Sequence, residues 1–488
     1  MTKTLNVMIL NLPSPPYLDV CRDWAGGFGT AFPVRRRAEY GHSGEPFFYP
    51  FLPYAAAVLS KENYGYSVLD CQRLKLNKFQ VLAEVKKQDP DVVFSLLGLP
   101  SLKKDLELLD EIKESVPNTT IVGVGTSCRF LQSDILLKSK IDAVLRSGYP
   151  YVSSLASFLE ALERKQDLKK VLGISYVKNG KVVNTGETPE ISLNNLPSPN
   201  YDHLKLDGYE SFEDLDGNRY SYIPVLGSKG CPYPCTYCPY PLGFGKKWTC
   251  RSPKDIIDEI EYLYSRGIKG VLFRDQSFSM DIKRAIKICD EIIHRKLDIA
   301  WFCEARVDHV SRDLLRIMKK AGCKQIHYGV ETGDPELIKW GKPQTDLDTI
   351  RKAFRLTKEL DLYTMAHIIL GWPDESLETL TKTYRFILEI DPDSVNWNFL
   401  TPYPGTKLYK IAKENNLILT YNWSNYTSHT VVMRTKWLNG NQLQKSATKI
   451  IRAYSRHRHR LLRLLLHTGK QHRLFANKLK QIIGAYLT

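Results

Sequence analysis

The stretch Ser228-Lys229-Gly230-Cys231-Pro232-Tyr233-Pro234-Cys235-Thr236-Tyr237-Cys238 places three cysteines on one short loop, in the spacing C-x3-C-x2-C. Soft thiolate ligands suit iron–sulfur centres, and three of them can hold three irons of a cubane [4Fe–4S] cluster. The nearest further cysteine, Cys250, lies beyond a glycine-containing stretch. The spacing therefore predicts a cluster whose fourth iron is open to a ligand that is not a protein side chain.

A zinc site and a disulfide are the alternative uses of such cysteines. Zinc usually takes its ligands from two short-spaced pairs, and the chain has no second C-x2-C pair. A disulfide needs an oxidising compartment, but the other cysteines are single and scattered, and the first residues do not resemble a secretory signal. These observations favour a cluster in a reduced, cytoplasmic protein. The scattered cysteines are Cys21, Cys71, Cys128, Cys250, Cys289, Cys303 and Cys323.

The size and composition are those of a globular protein with several domains. A chain of 488 residues exceeds one ordinary domain, so two or three are expected. Apolar content of 43% and charged content of 25% are ordinary. The sequence contains no run of about 18 apolar residues, so no membrane-spanning helix is expected.

Most of the net charge of +16 lies at the end of the chain, because no Asp or Glu follows Glu414. Residues 416–488 are predicted to form a basic helical region, with Phe475, Leu479, Ile482, Ile483 and Tyr486 on one helix face. Such helices cap a barrel, lie on an anionic membrane or bind nucleic acid, and we favour these roles in that order. Stacking aromatics are sparse in this stretch, which makes nucleic acid the least favoured partner. The basic residues are Arg434, Lys436, Lys445, Lys449, Arg452, Arg456, Arg458, Arg460, Arg463, Lys470, Arg473, Lys478 and Lys480.

The first part of the chain alternates short apolar strands with helical patterns. This alternation over residues 1–160 predicts a doubly wound, Rossmann-like domain with a parallel sheet. Residues 161–215 are expected to be a linker with a small hairpin, because Asn179-Gly180 is a strong type I′ turn signal between two strand-like runs.

The central part, residues 216–415, repeats a strand followed by a helix six times. Six such units predict a partial (β/α)6 TIM barrel, whose chemistry should lie at the carboxyl ends of its strands. The polar, glycine and cysteine residues that follow these strands are therefore the candidates for a site. They are Cys231, Asp275, Glu304, Glu331 and Gly371.

The motifs at these strand ends, taken in order, resemble those of the radical S-adenosylmethionine (SAM) superfamily. The resemblance extends from about residue 50 to 415. It rests on the cysteine loop with Tyr237 and on the runs Phe273-Arg274-Asp275-Gln276-Ser277-Phe278, Trp301-Phe302-Cys303-Glu304-Ala305-Arg306, Tyr328-Gly329-Val330-Glu331-Thr332-Gly333, Leu370-Gly371-Trp372-Pro373-Asp374-Glu375 and Pro402-Tyr403-Pro404-Gly405-Thr406.

The resemblance implies both the cofactors and their contacts. In this superfamily the open iron chelates the methionine part of SAM, and an electron from the cluster cleaves SAM to a 5′-deoxyadenosyl radical. Tyr237 would pack beside the adenine, Asp275 near the amino group and Glu331 near the ribose or methionyl group. Contacts with the cofactor are also implied for Glu304, Arg306 and Gly371. Loop or N-cap roles for the carboxylates and a turn role for the glycine are the alternatives.

The first domain resembles the cobalamin-binding-type domain found in one branch of this superfamily, which includes the anaerobic porphyrin-ring cyclase and hopanoid-associated proteins. Ser95-Leu96-Leu97 and Gly123-Val124-Gly125-Thr126 resemble elements of that domain, and they lie where a doubly wound sheet binds ligands. The chain lacks an Asp-x-His-x-x-Gly motif and has Ser147-Gly148-Tyr149-Pro150 where relatives often have Gly-Glu-Gly-Glu. Both a cobalamin-binding and a cobalamin-free domain therefore stay open.

A glycine-rich run, Trp24-Ala25-Gly26-Gly27-Phe28-Gly29-Thr30, has no Walker spacing and is not a phosphate loop. It is interpreted either as a loop that closes over substrate between the domains or as a flexible connector.

The resemblance implies an enzyme whose radical abstracts hydrogen from an unactivated carbon. With cobalamin, C-methylation is the predicted reaction; without it, the alternative is C–C bond formation, cyclisation or oxidation of a hydrophobic lipid, isoprenoid or tetrapyrrole substrate. A low-potential flavodoxin or ferredoxin is the implied electron donor. A non-catalytic membrane- or RNA-associated protein is the alternative of another class, against which the complete cysteine triad argues.

Overall fold

The computed structural model describes residues 5–34 and 44–458. The strands are β1 (Asn6–Asn11), β2 (Leu18–Cys21), β3 (Thr30–Pro33), β4 (Gly65–Asp70), β5 (Val92–Leu96), β6 (Thr120–Val124), β7 (Ala143–Leu145), β8 (Ile174–Lys178), β9 (Lys181–Asn184), β10 (Ser211–Glu213), β11 (Arg219–Val225), β12 (Ser228–Lys229), β13 (Thr249–Cys250), β14 (Gly270–Phe273), β15 (Ala300–Ala305), β16 (Cys323–Glu331), β17 (Tyr363–Leu370) and β18 (Ser394–Phe399). The helices are α1 (Trp24–Gly27), α2 (Phe51–Lys61), α3 (Lys78–Gln88), α4 (Leu102–Ser115), α5 (Thr126–Phe130), α6 (Gln132–Lys138), α7 (Leu155–Glu163), α8 (Tyr240–Phe244), α9 (Pro253–Ser265), α10 (Ile282–His294), α11 (Arg312–Lys320), α12 (Pro335–Gly341), α13 (Leu347–Lys358), α14 (Leu377–Ile390), α15 (Lys407–Glu414) and α16 (Gly440–Arg458).

The first sheet has the strand order β4-β1-β5-β6-β7-β8-β9. Its strands from β4 to β7 are parallel, and the whole of β5 is buried, as expected of a strand covered on both faces. The predicted doubly wound domain is confirmed.

The hairpin expected in the linker is part of this first sheet. Strand β8 pairs antiparallel with β7, and β9 pairs with β8 across Asn179-Gly180. The start of β8 is fully or nearly fully buried at Ile174, Ser175 and Tyr176, and the edge of β7 provides the partner that these residues need. The first sheet therefore extends to Asn184, beyond the predicted boundary at residue 160.

The second sheet has the order β10-β11-β14-β15-β16-β17-β18. The strands from β11 to β18 are all parallel, and β10 adds an antiparallel edge. Residues of one face, such as Ile326 and Tyr328, are buried with the surrounding helices, and alternate residues such as His327 face the concave interior. This arrangement confirms the predicted partial (β/α)6 barrel.

The two sheets share one apolar core. A continuous cluster of buried side chains runs from Val7 in the first sheet through Ile223 and Tyr328 in the second. The first domain therefore packs directly on the barrel, which brings its loops to the carboxyl edge of the second sheet.

The described part of the C-terminal region packs on the outside of the barrel. Leu443, Ala447 and Tyr454 of α16 are buried, and the ring of Tyr454 meets that of Trp397 at 5.7 Å. Helix α16 thus caps α14 and β18, which agrees with the first of the three expected roles. The predicted stripe from Phe475 to Tyr486 lies outside the described residues. Among the helices of residues 5–34 and 44–458, none is both long and apolar enough to cross a bilayer.

Candidate functional site

The cysteine loop leaves the carboxyl end of β11 and is fixed at its beginning by backbone contacts. Ser228 and Lys229 form β12, which pairs with β13. Gly230 follows with φ +87°, and a Cβ there would lie 2.1 Å from the carbonyl oxygen of Lys247. The amide of Cys231 then donates to Gly245 O at 3.1 Å. Only glycine fits at position 230, which explains the residue before the first cysteine.

The end of the cysteine loop is held by two elements from the far side of the barrel. The Thr236 amide donates to Gly341 O at the end of α12 at 3.1 Å. The Thr236 carbonyl accepts from the amide of Leu408, in the first turn of α15, at 3.0 Å. The loop that carries the cysteines is therefore anchored at both ends by the barrel.

The three thiols lie together in a partly buried site. Burial raises the pKa of all three, to about 11 for Cys235. The negative charges of Cys235 and Cys231 raise the pKa of Cys238 further. Lys342 and Arg306 act in the opposite direction on Cys235. These two cations would stabilise an anionic group bound by the loop.

The chemistry of these three thiols fits a cubane cluster. Within residues 5–34 and 44–458, no three His, Cys, Asp or Glu side chains converge on one ion position. A cubane does not need such convergence, because each cysteine binds a different iron at a separate corner. The three soft, partly buried thiols on one anchored loop are the donor set that an iron–sulfur cluster requires.

Tyr237 links the cysteine loop to the predicted site residue Glu331 and to Trp372. Burial raises the pKa of its hydroxyl, and the nearby carboxylate of Glu331 raises this pKa further. Its ring meets that of Trp372 edge-on, with 5.3 Å between centroids. The aromatic position before the third cysteine is therefore in contact with the ends of β16 and β17.

Glu331 is held in a strained position at the end of β16. Its φ is +67°, a conformation that side chains other than glycine rarely adopt. Its Oε1 lies 3.4 Å from Lys342 Nζ, which also donates to Gly329 O at 2.7 Å. Both charged side chains are nearly buried. The pair presents a carboxylate and an ammonium group close to the thiols, and strain of this kind is common at ligand sites.

Asp275 occupies a fully buried position behind the loop. Its Oδ1 accepts from the amides of Gly227 and Ser228 at 2.9 and 3.0 Å, and its Oδ2 accepts from Ser228 Oγ at 2.6 Å. Arg284 Nη1 lies 3.3 Å from Oδ2. The structure thus shows Asp275 holding the turn that leads into the cysteine loop. Its predicted contact with the SAM amino group stays a prediction.

Glu304 and Arg274 lie at neighbouring strand ends, where the first domain closes over the barrel. The Glu304 carboxylate accepts no hydrogen bond within the described residues, although it interacts electrostatically with Arg274. The Arg274 guanidinium lies 5.6 to 5.8 Å from the ring centroids of Trp24, Tyr240 and Phe244. Glu304 is therefore a carboxylate free to bind a ligand, beside a buried cation.

Arg306 contacts the cysteine loop directly. Its guanidinium stacks over the ring of Tyr233, 3.5 Å from the centroid. It also donates twice to Asp308, at 2.9 and 2.7 Å. The Tyr233 hydroxyl in turn lies 2.7 Å from His309 Nε2. Arg306 thus orients the exposed side of the loop and adds positive charge to it.

The turn at Gly371 is clamped by a buried glutamate. Glu375 Oε2 accepts from the amides of Gly371 and Trp372, the second at 3.3 Å. Burial raises the pKa of Glu375 to about 8, against the lowering effect of those amides. Because Trp372 packs on Tyr237, this clamp sets the position of the aromatic beside the cysteines.

The concave face of the barrel carries a row of one phenyl and two imidazole rings. The rings of Phe302, His327 and His367 follow one another at 5.0 and 5.8 Å. Asn396 Nδ2 lies 3.2 Å from His367 Nδ1, whereas His367 Nε2 is buried without a partner in the described chain. Burial lowers the pKa of His327 to about 3, with a smaller effect of His367. This row offers an unpartnered imidazole nitrogen on the concave face of the barrel.

At the edge of the first sheet, Ser95 and Gly123 are the penultimate residues of β5 and β6, and Gly125 directly follows β6. The hydroxyls of Ser95 and of Ser127, in α5, are buried and have no hydrogen-bond partner among the described residues. The glycine-rich run lies against this edge, where Thr126 Oγ1 donates to Gly26 O at 2.7 Å. The predicted residues of the first domain therefore share one edge of the first sheet, and the glycine-rich run covers that edge.

Comparison with known proteins agrees with this arrangement. The Radical SAM superfamily model matches residues 225–387. An uncharacterized methyltransferase of Pyrococcus horikoshii is 31% identical over 417 residues, which cover 84% of this chain and 87% of that protein. The chain belongs to the radical SAM superfamily. It is an enzyme, and its radical SAM domain implies a [4Fe–4S] cluster and SAM as cofactors.

Two further proteins resemble this radical SAM enzyme. The anaerobic magnesium-protoporphyrin IX monomethyl ester cyclase of Cereibacter sphaeroides is 28% identical over 80% of this chain, which spans 64% of the cyclase. The structure of the cobalamin-dependent SAM radical enzyme OxsB superposes with a TM-score of 0.71 at 15% identity, over 92% of this chain and 66% of OxsB. The second likeness shows a common fold.

Sequence reasoning missed several residues of this radical SAM site. Lys342 lies on the loop after α12, and Arg274 is one position within a strand-end motif, so neither has a role predicted from the sequence. Glu375 follows Gly371 by four residues, and its burial was the signal needed to recognise it. His327 and His367 alternate with apolar residues in their strands, a pattern that indicates a polar interior face.

Proposed function

We propose that this radical SAM enzyme methylates an unactivated carbon of a large hydrophobic substrate with the help of bound cobalamin. The observation that carries the proposal is the anchored cysteine triad, which opens between a cation-lined barrel mouth and the edge of the cobalamin-type domain. The relation to a protein named a methyltransferase, at 31% identity over most of both chains, supports it.

The residues of the barrel mouth would hold and orient the cofactors. The cluster and SAM, when bound, supply a 5′-deoxyadenosyl radical that removes a hydrogen atom from carbon. Cys231, Cys235 and Cys238 would hold the cluster. Glu331, fixed by its pair with Lys342, would accept hydrogen bonds from the ribose or methionyl group.

The other mouth residues would bind the remaining parts of SAM and the substrate. Tyr237, held by Trp372, would pack beside the adenine. The backbone at Gly371 would approach the same ring. Glu304 accepts no hydrogen bond from the described chain and would bind a donor group of SAM or substrate. His367, with its unpartnered Nε2, would bind the substrate deeper in the barrel.

The edge of the first sheet has side chains that suit cobalamin. Ser95 and Ser127 have buried hydroxyls without partners, so a polar ligand would satisfy them. These residues, with Gly123 and Gly125, would hold the cofactor. The glycine-rich run packs over the same edge, so it would border the ligand.

A low-potential protein of flavodoxin or ferredoxin type would deliver the electron. Pro232 and Pro234 of the cysteine loop are exposed, so the loop reaches the surface where such a donor can dock. All ten cysteines of the described chain are free thiols, which suits a reducing, cytoplasmic compartment.

The experiment is to purify the protein without oxygen from cells supplied with cobalamin and to measure iron, sulfide and cobalt per chain. We expect about four irons and one cobalt, together with 5′-deoxyadenosine formation from SAM under reduction. Cys235→Ala should abolish cluster and cleavage. Cys250→Ala is the matched control, because Cys250 lies on β13 outside the triad, and it should retain both. SAM cleavage by Cys235→Ala would contradict the cluster assignment.

The second candidate is a cobalamin-free cyclisation, oxidation or C–C bond formation on a hydrophobic substrate. The close packing of the glycine-rich run favours it, since a Cβ at Gly26 would lie 2.5 Å from the backbone of Pro239. The 28% identical cyclase also supports it. Four irons without cobalt in the same preparation would support this second reaction instead of methylation.

A further inference from the structure

Helix α16 has an apolar face on the barrel and a cationic face toward solvent. Leu443, Ala447 and Tyr454 are buried against the barrel. On the opposite side four exposed cations are spaced by one helical turn each, so they form a stripe about 16 Å long. The stripe consists of Lys445, Lys449, Arg452 and Arg456.

The charges of this cationic stripe are not compensated by the described chain. None of the four side chains forms an ion pair within residues 5–34 and 44–458, and α16 contains no Asp or Glu. Other surface cations do find partners; Lys382, for example, pairs with Asp334 and Glu378. Like charges one turn apart repel each other, so an anionic surface would relieve the repulsion.

Two exposed apolar side chains, Trp437 and Leu419, lie at the amino end of the same helix, and Tyr421 is exposed two residues after Leu419. Trp437 is 68% exposed, Tyr421 53% and Leu419 48%. The Leu419 side chain packs on Gly440, the first residue of α16, since a Cβ there would lie 2.6 Å from Leu419 Cδ1. Tryptophan and tyrosine are enriched at the interface between bilayer and water.

We propose that the cationic stripe, together with Trp437 and Leu419, docks on an anionic phospholipid bilayer. Cations on one helix face with neighbouring tryptophan and leucine are typical of interfacial binding. No aromatic side chain lies between the four cations on their face of the described helix, which disfavours stacking on nucleic acid bases. The docking would bring the proposed function to hydrophobic substrates, but the binding itself does not depend on that function.

The test is co-sedimentation of the full-length protein with vesicles of phosphatidylcholine alone or with about 30% phosphatidylglycerol, at low and high salt. The variant is Lys445→Glu/Lys449→Glu. The matched control is Lys283→Glu/Lys287→Glu, which reverses two exposed lysines with the same spacing on α10. The basic residues after Arg458 are kept in every protein.

We expect binding only to the anionic vesicles, weakened by high salt. Each removed charge should weaken binding about fivefold, so the α16 variant should bind at least about 25-fold more weakly, whereas the α10 control should bind like the wild type. Trp437→Ser should also weaken binding.

Equal weakening in both double variants, or binding to RNA without binding to vesicles, would overturn the proposal. SAM cleavage is measured in every sample. If the wild type does not cleave SAM, that result counts against the proposed function alone. If the wild type cleaves SAM but does not bind the anionic vesicles, that result counts against the docking surface alone.

Discussion

Asp275 lies just beyond β14 and Glu304 lies near the end of the adjacent strand β15, and the two carboxylates make different contacts. The substitution Asp275→Asn distinguishes the roles of the two carboxylates, and Glu304→Gln is the matched control. In the wild type the Asp275 carboxylate accepts three hydrogen bonds from the turn at Gly227 and Ser228, and it is paired with Arg284 at 3.3 Å. Glu304 accepts none from the described chain.

The expected loss of stability follows from the contacts that asparagine keeps and those that it loses. Its Oδ1 can still accept from the two amides, but its Nδ2 faces the Arg284 guanidinium, so a buried cation loses its counter-ion. Breaking a buried ion pair costs about 3 to 5 kcal/mol. Arg284 keeps a hydrogen bond to Gly227 O at 2.7 Å, which favours the lower end of this range of free energies. We expect a loss of about 3 kcal/mol, or about 150-fold in the folding equilibrium.

The assay is urea unfolding of the cluster-free protein, followed by iron content and SAM cleavage after reconstitution. Asp275→Asn should lower the urea midpoint by about 1 M and reduce iron incorporation. Glu304→Gln should unfold like the wild type within about 0.5 kcal/mol, yet alter turnover. The reasoning is refuted if Asp275→Asn unfolds like the wild type and only raises the KM for SAM, because Asp275 would then be a SAM ligand.

Three further changes test other parts of the site. Burial raises the pKa of Glu375 from 4.5 to about 8. Between pH 4.5 and about 8 the folded protein therefore keeps a proton that the unfolded chain loses. In that range the free energy of unfolding should fall by about 1.4 kcal/mol per pH unit. Glu375→Gln should flatten that slope in urea titrations; an unchanged slope contradicts the assignment. His367→Phe should leave SAM cleavage without substrate within twofold while product formation falls about a hundredfold, and equal losses would show a fault in the fold. In Gly27→Ala, φ is +82° and the new Cβ would lie 1.7 Å from the Tyr151 hydroxyl, so limited proteolysis should cut the glycine-rich run faster. Gly180→Ala, at φ +71° with open space around it, is the control and should resist proteolysis like the wild type.

The local features of the fold could be predicted from the sequence. The cysteine spacing, the apolar strands and the Asn179-Gly180 turn each depend on residues close together in the chain, and the structure has the corresponding loop, strands and hairpin. The place of the hairpin could not be predicted, because it depends on the open edge of β7, a property of the assembled sheet.

The contacts of the site join residues that are distant in sequence, and for that reason most of these contacts could not be predicted from the sequence. Ser228 precedes its partner Asp275 by 47 positions, and nothing near either residue indicates the other. Likewise, His327 and Asn396 meet His367 only because β16, β17 and β18 are neighbours in the sheet. The strand-end rule located the right edge of the barrel, but it could not separate a carboxylate that holds a turn from one that is free.

The two bonds that hold the Thr236 backbone have a consequence for the order of synthesis. Gly341 and Leu408 leave the ribosome well after the cysteines, the second about 170 residues later. At about 5 to 20 residues per second, the three thiols wait roughly 10 to 35 s before the loop can take its final shape. Cluster insertion should therefore follow translation of the barrel, and oxygen encountered during that interval would reach the thiols before iron does.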